Sequence, residues 1–107
     1  MPLRLVYTPD ALADLRSILS HIAGDNPSAA RTFVGAIERR CRDLCQQPHL
    51  GRAREDLGIG LRIVPFRRRI VIAYRIEDND LAILRVFYGG RDYEALLGGH
   101  TGSADDV

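Results

Sequence analysis

Three consecutive arginines, Arg67, Arg68 and Arg69, are the residues whose type and spacing most directly suggest chemistry in this sequence. Guanidinium groups bind phosphates and carboxylates through paired hydrogen bonds, so the cluster predicts a contact with nucleic acid or with an acidic partner. For Arg67 and Arg68 the alternative is a solvated hairpin tip, since charged side chains are common where two strands turn.

A second polar group follows the Gly89-Gly90 pair. Arg91, Asp92 and Tyr93 stand where the chain is expected to leave its last strand. These residues either contribute to function or close the domain, with Arg91 and Asp92 pairing locally and Tyr93 packing under the helices. Both interpretations remain open at the level of the sequence.

Neither a metal site nor a cofactor site is predicted. Cys41 and Cys45 are one helical turn apart on an apolar stripe, which is typical of small core residues rather than of a disulfide or a zinc site. The three histidines share no ligand spacing with these cysteines.

The composition is that of one globular domain. Hydrophobic residues make up 46% and charged residues 27%, and no apolar run approaches the roughly 20 residues of a membrane helix. No signal-peptide pattern is present at the start, so a cytoplasmic protein is expected. All fifteen basic residues are arginine, and without the two acids in residues 98–107 the net charge is 15 − 12 = +3. This bias suits an acidic partner, although a preference for arginine codons would also produce it.

Helix and strand signals alternate along the chain. A short strand, Leu3 to Tyr7, precedes a helix from Pro9 to about Ala23 with Thr8 as its N-cap, and a second helix starts after Asn26 and is stopped by Pro48. Three strands then form a meander: residues 61–64, closed by Pro65, residues 69–76, and residues 81–88. The sequence therefore predicts an α+β domain over residues 1–97, in which an N-terminal strand and an αα-hairpin pack on a small antiparallel sheet. Residues 98–107 are predicted to be a flexible tail.

The predicted sheet has one face that needs a cover. Alternation in the central strand places Ile72 on the helix side. The opposite face is assigned Val71, Ala73, Arg75, Leu84, Arg85 and Val86. A partner segment is one possible cover, and residues 93–97 folding back are the other. The two strand arginines are expected to pair with Glu77 or with an acid on a covering segment, and an exposed aromatic, Tyr88 or its neighbour Phe87, is a candidate partner contact.

This layout resembles the RelE/ParE toxin superfamily over about residues 3–97. The resemblance is carried by three stretches, YTPDALADLRSIL, RRIVIAYRIEDNDLAILRV and FYGGRDYEALL. Within the superfamily the ending is similar to the ParE branch, in which a His-Gly-Arg-Arg-Asp type segment commonly closes the last strand. In this chain the corresponding residues run from Tyr88 to Asp92.

The resemblance implies a toxin of a bacterial type II toxin–antitoxin module. A ParE-like toxin is expected to poison DNA gyrase by binding and not by enzymatic activity, to bind no specific DNA sequence itself, and to form a hetero-oligomer with a ParD-like antitoxin encoded nearby. The residues assigned to target binding and toxicity are Arg67, Arg68, Arg69, Arg91 and Tyr93. The residues assigned to antitoxin binding are Val71, Ala73, Arg75, Leu84, Val86 and Tyr88.

Two other functions remain open. RelE-like relatives cleave mRNA on the ribosome, and here Arg69 would hold the scissile phosphate while Tyr93 served as acid or base. That machinery looks incomplete, because the basic residue expected after the last strand falls near Gly89 or Gly90 and an unassisted tyrosine is a poor base at neutral pH. The third function is that of a toxin remnant that only binds its antitoxin.

Overall fold

The structure is a computed structural model that describes residues 2–24, 26–89 and 92–97. Its elements in chain order are β1 (Arg4–Tyr7), α1 (Pro9–Ala23), α2 (Pro27–Gln46), β2 (Arg52–Ala53), β3 (Leu61–Phe66), β4 (Ile70–Glu77) and β5 (Asp80–Tyr88). Residues 93–97 add a helical turn. The α+β class, the helical hairpin and the meander are confirmed. Arg91 and the predicted tail over residues 98–107 lie outside the described residues.

Both helices begin at the caps that the sequence predicts. The Thr8 hydroxyl accepts a hydrogen bond from the Ala11 amide (3.1 Å), and the Asn26 side chain accepts one from the Ala29 amide (3.1 Å). Each cap is followed by a proline at the first helical position, where its missing N–H is not needed. These local signals fix the N-terminal ends of α1 and α2.

The sheet has five strands in the order β1-β5-β4-β3-β2, so β4 is central as predicted. The pairs β4–β5, β3–β4 and β2–β3 are antiparallel, whereas β1 pairs with β5 in parallel. The helical hairpin between β1 and the meander is long enough to allow this parallel return. The two-residue strand β2 was not predicted, because residues 48–60 show no periodicity.

The sequence predicts that Pro65 closes β3, and this prediction is wrong. Pro65 lies inside β3 and pairs with Val71 of β4. The outer neighbour β2 pairs only with Arg62 and Ile63, so the outer edge of β3 has no strand partner at Pro65 within the described residues. A proline is tolerated on such an edge because no ladder hydrogen bond has to be donated there.

Two hydrophobic clusters lie on opposite faces of the sheet. The larger cluster joins α1 and α2 to side chains such as Ile72 and Tyr74 of β4, and both cysteines are buried in it as predicted. The smaller cluster contains Ala73 and Phe87, with Tyr93 and Leu97 packed against it. Residues 93–97 therefore supply part of the cover that this second face needed.

A β-bulge in β5 changes which side chains reach each face. Ala73 pairs with Arg85 while the next residue of β4, Tyr74, pairs with Ile83, so Leu84 is an extra residue. The alternation shifts by one position, and Val86 is buried in the helix-side cluster with 1% exposure. Its predicted place on the second face is wrong, since a period-two pattern cannot anticipate the inserted residue.

A buried ion pair holds β5 against α1 at this bulge. The Asp14 carboxylate accepts hydrogen bonds from Arg85 Nε (2.7 Å), Arg85 Nη2 (3.0 Å) and the Val86 amide (2.8 Å). The hydrogen bond with Asp14 raises the pKa of Arg85 above its ordinary value. Arg85 thus pairs with an acid on a covering element, as predicted.

None of the helices in the described part of the chain is both long and apolar enough to span a membrane.

Candidate functional site

The arginine cluster forms the tip of the β3–β4 hairpin. Residues 67–69 make the turn, and all three side chains are exposed. Arg69 was predicted to start the central strand, but β4 begins at Ile70 and Arg69 belongs to the turn. Its carbonyl oxygen accepts a hydrogen bond from the Gly89 amide (3.0 Å), which ties the hairpin tip to the end of β5.

The backbone of this turn is unusual for arginine. Arg67 has φ 51° and Arg68 has φ 66°, both in the left-handed region that favours glycine. The Arg67 guanidinium lies 5.1 Å from the centroid of the Phe66 ring, within the range of a cation–π contact. The tip therefore carries three exposed charges on a backbone where a smaller residue would fit with less strain.

A groove of about 280 Å³ lies on the second face of the sheet, and we call it the second-face groove. It is lined by Arg52, Ile63, Pro65, Val71 and Tyr93. Its lining is largely apolar, and Arg52 is the charged residue that the described part of the chain contributes to it. It also lies beside the outer edge of β3 that β2 leaves unpaired. An apolar groove beside an open strand edge can accept an extended peptide.

The helical turn that carries Tyr93 is fastened to the loop after β2. The Arg54 guanidinium lies 2.8 Å from the Asp56 carboxylate and 2.7 Å from the Glu94 carboxylate. The hydrogen bond with Asp56, and then that with Glu94, raises the pKa of Arg54, and the hydrogen bond with Arg54 lowers the pKa of Asp56. The Asp92 side chain caps the turn by accepting from the Ala95 amide (3.1 Å). These contacts place the Tyr93 ring 6.2 Å from that of Phe87.

The residues predicted to bind an antitoxin fall into four groups. Val71 lines the second-face groove, and Leu84 is partly buried against the same cluster. Ala73 lies on that face too but is fully buried. Arg75 forms the predicted ion pair with Glu77 (2.9 Å).

Tyr88 and Val86 belong to the helix side of the sheet. Tyr88 is partly buried, with edge contacts to His21 (5.6 Å between ring centroids) and Phe33 (6.1 Å). Both strand residues line a cleft of about 160 Å³ together with Asp14 and His21 of α1. A single partner segment that touched both Val71 and Tyr88 would have to pass around the end of the sheet, since these two residues face opposite ways.

The two residues of the nuclease hypothesis, Arg69 and Tyr93, do not both line the second-face groove. Tyr93 lines the second-face groove, and Arg69 is absent from that lining. Among the described residues, the groove lining contains no aspartate, glutamate or histidine that could serve as a base. The described residues also contain no group of three or more histidine, cysteine, aspartate or glutamate side chains arranged to hold a metal ion.

Three groove residues, Arg52, Ile63 and Pro65, were not assigned to a site from the sequence. Arg52 lies in β2, and nothing in the glycine-rich stretch around it signals a strand. Its position beside Tyr93 and Val71 becomes visible only once β2 pairs with β3.

Comparison with known proteins identifies the family. The sequence model described as "ParE toxin of type II toxin-antitoxin system, parDE" matches residues 5–93, most of the chain. The chain belongs to the ParE toxin family. Toxin ParE3 of Caulobacter vibrioides is 31% identical over 99 residues, which cover 92% of this chain and 98% of that protein. The RelE/ParE resemblance and its ParE branch are therefore confirmed.

Solved structures agree with this family. A chain from the chromosomal ParDE toxin–antitoxin system of P. aeruginosa superimposes with a TM-score of 0.69 at 26% identity, covering 80% of this chain and 95% of that one. A chain from the RelBE2 toxin–antitoxin complex of Mycobacterium tuberculosis has a TM-score of 0.62 at 24% identity and covers 83% of this chain and all of that one. The second likeness shows the shared fold.

Proposed function

We propose that this ParE-family toxin acts in the cytoplasm by poisoning DNA gyrase, and that a ParD-like antitoxin neutralises it by binding its second face. Membership of the ParE family carries the proposal, because the family is defined as the toxin half of parDE systems. The action would be one of binding. Nuclease chemistry would need Arg69 and Tyr93 together, and among the described residues only Tyr93 lines the second-face groove.

The antitoxin half of the proposal rests on the second-face groove. Val71 and Ile63 offer apolar surface there, and Arg52 offers a positive charge that a carboxylate can pair with. The outer edge of β3 beside the groove has no strand partner at Pro65 among the described residues, and Pro65 has no N–H to donate there. An antitoxin segment that combines apolar and acidic residues and lies in this groove would match its apolar lining and its positive charge.

Replacing Val71 with glutamate tests this surface. The added charge would be buried against the apolar lining, so antitoxin affinity should fall at least about tenfold, a loss of about 1.4 kcal/mol of binding free energy. Leu12→Glu is the matched control, since Leu12 is an apolar residue of α1 with 41% exposure, away from the groove. Isothermal titration of each folded variant with the antitoxin from the neighbouring reading frame measures both values. Equal affinities for the two variants would place the antitoxin elsewhere.

The target half of the proposal assigns the hairpin tip and the residues after β5 to gyrase. Arg67, Arg68 and Arg69 are exposed at the tip, and the tip is bonded to the end of β5 through Gly89, so one partner can contact both regions. Tyr93 follows shortly afterwards in the chain. Arg91 shares this assignment but lies outside the described residues.

Expression of the toxin without antitoxin distinguishes gyrase from the ribosome. A gyrase poison should induce the DNA-damage response and leave mRNA intact at the time growth stops. A ribosome-dependent nuclease should produce new mRNA 5′ ends first, and Arg69→Ala should then abolish these ends while antitoxin binding survives. A chain that binds antitoxin but does neither would be a toxin remnant.

A further inference from the structure

A basic groove between α2 and the hairpin tip shares only Arg67 with the surfaces assigned in the proposed function. It has a volume of about 170 Å³ and is lined by Ala36, Arg39, Arg40, Asp43, Phe66 and Arg67. We call it the arginine groove. Three arginines and one aspartate give the lining a net charge of +2, and Arg68 and Arg69 continue the positive surface along the same turn. The groove therefore joins the hairpin tip to a helix far away in sequence.

Among the described residues, these arginines form no ion pair. The ion pairs of the described residues involve Arg4, Arg54, Arg75 and Arg85, and no arginine of the groove or tip. Moreover, Arg40 Nε is buried and has no hydrogen-bond acceptor among the described residues. Because the Arg40 Nε atom is shielded from solvent, the exposed Arg39 and Arg67 side chains are the groove cations that an external anion can reach.

The tip arginines add an independent observation. Arg67 and Arg68 hold left-handed backbone conformations, in which a residue with a side chain is strained by about 1 kcal/mol or more. Glycine or asparagine would form the turn with less strain, and the chain carries two long cations instead. Strain of this kind at an exposed turn indicates that the side chains serve a contact outside the fold.

We infer that the arginine groove and the hairpin tip bind the phosphate backbone of double-stranded DNA without reading its sequence. Five arginines spread over α2 and a turn suit a polyanion with many regularly spaced charges, and duplex DNA carries one charge per about 1.7 Å of its axis. The aromatic ring of the groove, Phe66, lies 5.1 Å from the Arg67 guanidinium, so a cation stands over the one aromatic side chain of the lining. An acidic peptide would gain less here, since protein segments usually dock through apolar anchors.

The inference rests on the gyrase proposal, because DNA binding by the toxin would serve its action on gyrase. A toxin that traps gyrase on cleaved DNA would bind more tightly if it also contacted the DNA that gyrase holds. The test contains no gyrase, so a failure of DNA binding and a failure of gyrase poisoning would be separate results.

Fluorescence anisotropy of a labelled duplex of about 20 base pairs, titrated with antitoxin-free full-length toxin over a range of salt, measures this contact. Each phosphate contact contributes about 0.9 to the slope of log K against log salt, so three to five contacts predict a slope of about −3 to −5. Arg67→Gln combined with Arg68→Gln should reduce the steepness of that slope by about 2 and weaken binding about tenfold or more near 0.1 M salt. Arg39→Gln alone should reduce it by about 1.

Arg16→Gln combined with Arg31→Gln is the matched control, because both are exposed helix arginines outside the groove lining. This pair removes the same net charge and should leave the slope unchanged. The inference is overturned if the control pair weakens binding as much as the tip pair, which would indicate bulk charge alone. It is also overturned if no salt-dependent binding occurs, or if polyglutamate binds the same arginines more tightly than DNA does. Circular dichroism of each variant establishes that it is folded.

Discussion

Replacing Asp14 with alanine removes the acceptor of three hydrogen bonds at the bulge of β5. The carboxylate is 10% exposed and the Arg85 side chain 25% exposed, so the pair is largely but not fully shielded from water. After the substitution Arg85 loses its counter-charge, and the Val86 amide loses its acceptor at 2.8 Å.

The magnitude follows from these two losses. Breaking one partner of a buried ion pair costs about 3–5 kcal/mol, and the exposed quarter of Arg85 moves the estimate to the lower end of that range. An unsatisfied buried amide costs about 1–3 kcal/mol on its own, but the two losses share one cause and do not simply add. We expect Asp14→Ala to lower the free energy of unfolding by about 3 kcal/mol, with a fall in Tm of about 10 °C or more.

Urea denaturation followed by circular dichroism measures this change. Asp10→Ala is the matched control, since it removes an exposed carboxylate from the first turn of the same helix and should cost less than about 1 kcal/mol. Values for Asp14→Ala and Asp10→Ala within about 0.5 kcal/mol of each other would refute the role given to the ion pair.

Three further predictions concern the core. Tyr74→Phe should lower the free energy of unfolding by about 1–3 kcal/mol in urea melts. The Tyr74 hydroxyl donates to the Pro48 carbonyl and accepts from the Gly51 amide, each at 2.8 Å, and the substitution removes both hydrogen bonds. An unchanged free energy of unfolding would mean that water replaces the hydroxyl. Gly51→Ala should destabilise the same region in thermal melts, because an added Cβ would lie 2.6 Å from the Tyr74 hydroxyl oxygen; an unchanged Tm would show that the loop shifts freely. Burial raises the pKa of Cys41 to about 12 and that of Tyr7 above its ordinary value. Both groups are neutral when folded, so the stability that they add is complete below pH 9.0 and declines as pH rises towards about 12; urea midpoints should fall over that interval, and a flat profile would contradict it.

The helices and the three-stranded meander were largely predictable because their signals are local, whereas the parallel pairing of β1 with β5 was not predicted. Thr8 and Asn26, each followed by proline, define helix starts in the sequence and in the structure alike. The polar residues after Glu77 mark the β4–β5 turn, where Asp78 adopts φ 56°. A cap or a turn needs only a few neighbouring residues, so no tertiary information is required.

The errors arose where distant residues decide the outcome. Pro65 remains in β3 because β2 ends before reaching it, and β2 itself is not visible in the sequence. Val86 faces the helices because Leu84 is bulged, a feature fixed by the Asp14 contact with the Val86 amide and by pairing across β4. The second-face groove escaped prediction for the same reason, since Arg52 joins it only through β2.

For each predicted site residue, the structure gives surroundings that the sequence does not show. Val71 and Tyr93 line one groove, which gives the antitoxin hypothesis a definite surface. The arginine triplet was recognisable from the sequence alone. The left-handed backbone of Arg67 and Arg68 was not, nor was the groove that Arg67 lines together with Arg39 and Arg40. Family membership is established at the level of the sequence, and the identity of the target remains a proposal.

Gyrase poisoning is tested most directly by incubating antitoxin-free toxin with purified gyrase, supercoiled DNA and ATP, and measuring the protein-linked linear DNA released after denaturation. We expect cleaved DNA to accumulate with toxin concentration, and antitoxin added beforehand to prevent it. Supercoiling that proceeds without cleaved DNA, from a folded toxin that still binds its antitoxin, would show that the toxin does not poison gyrase.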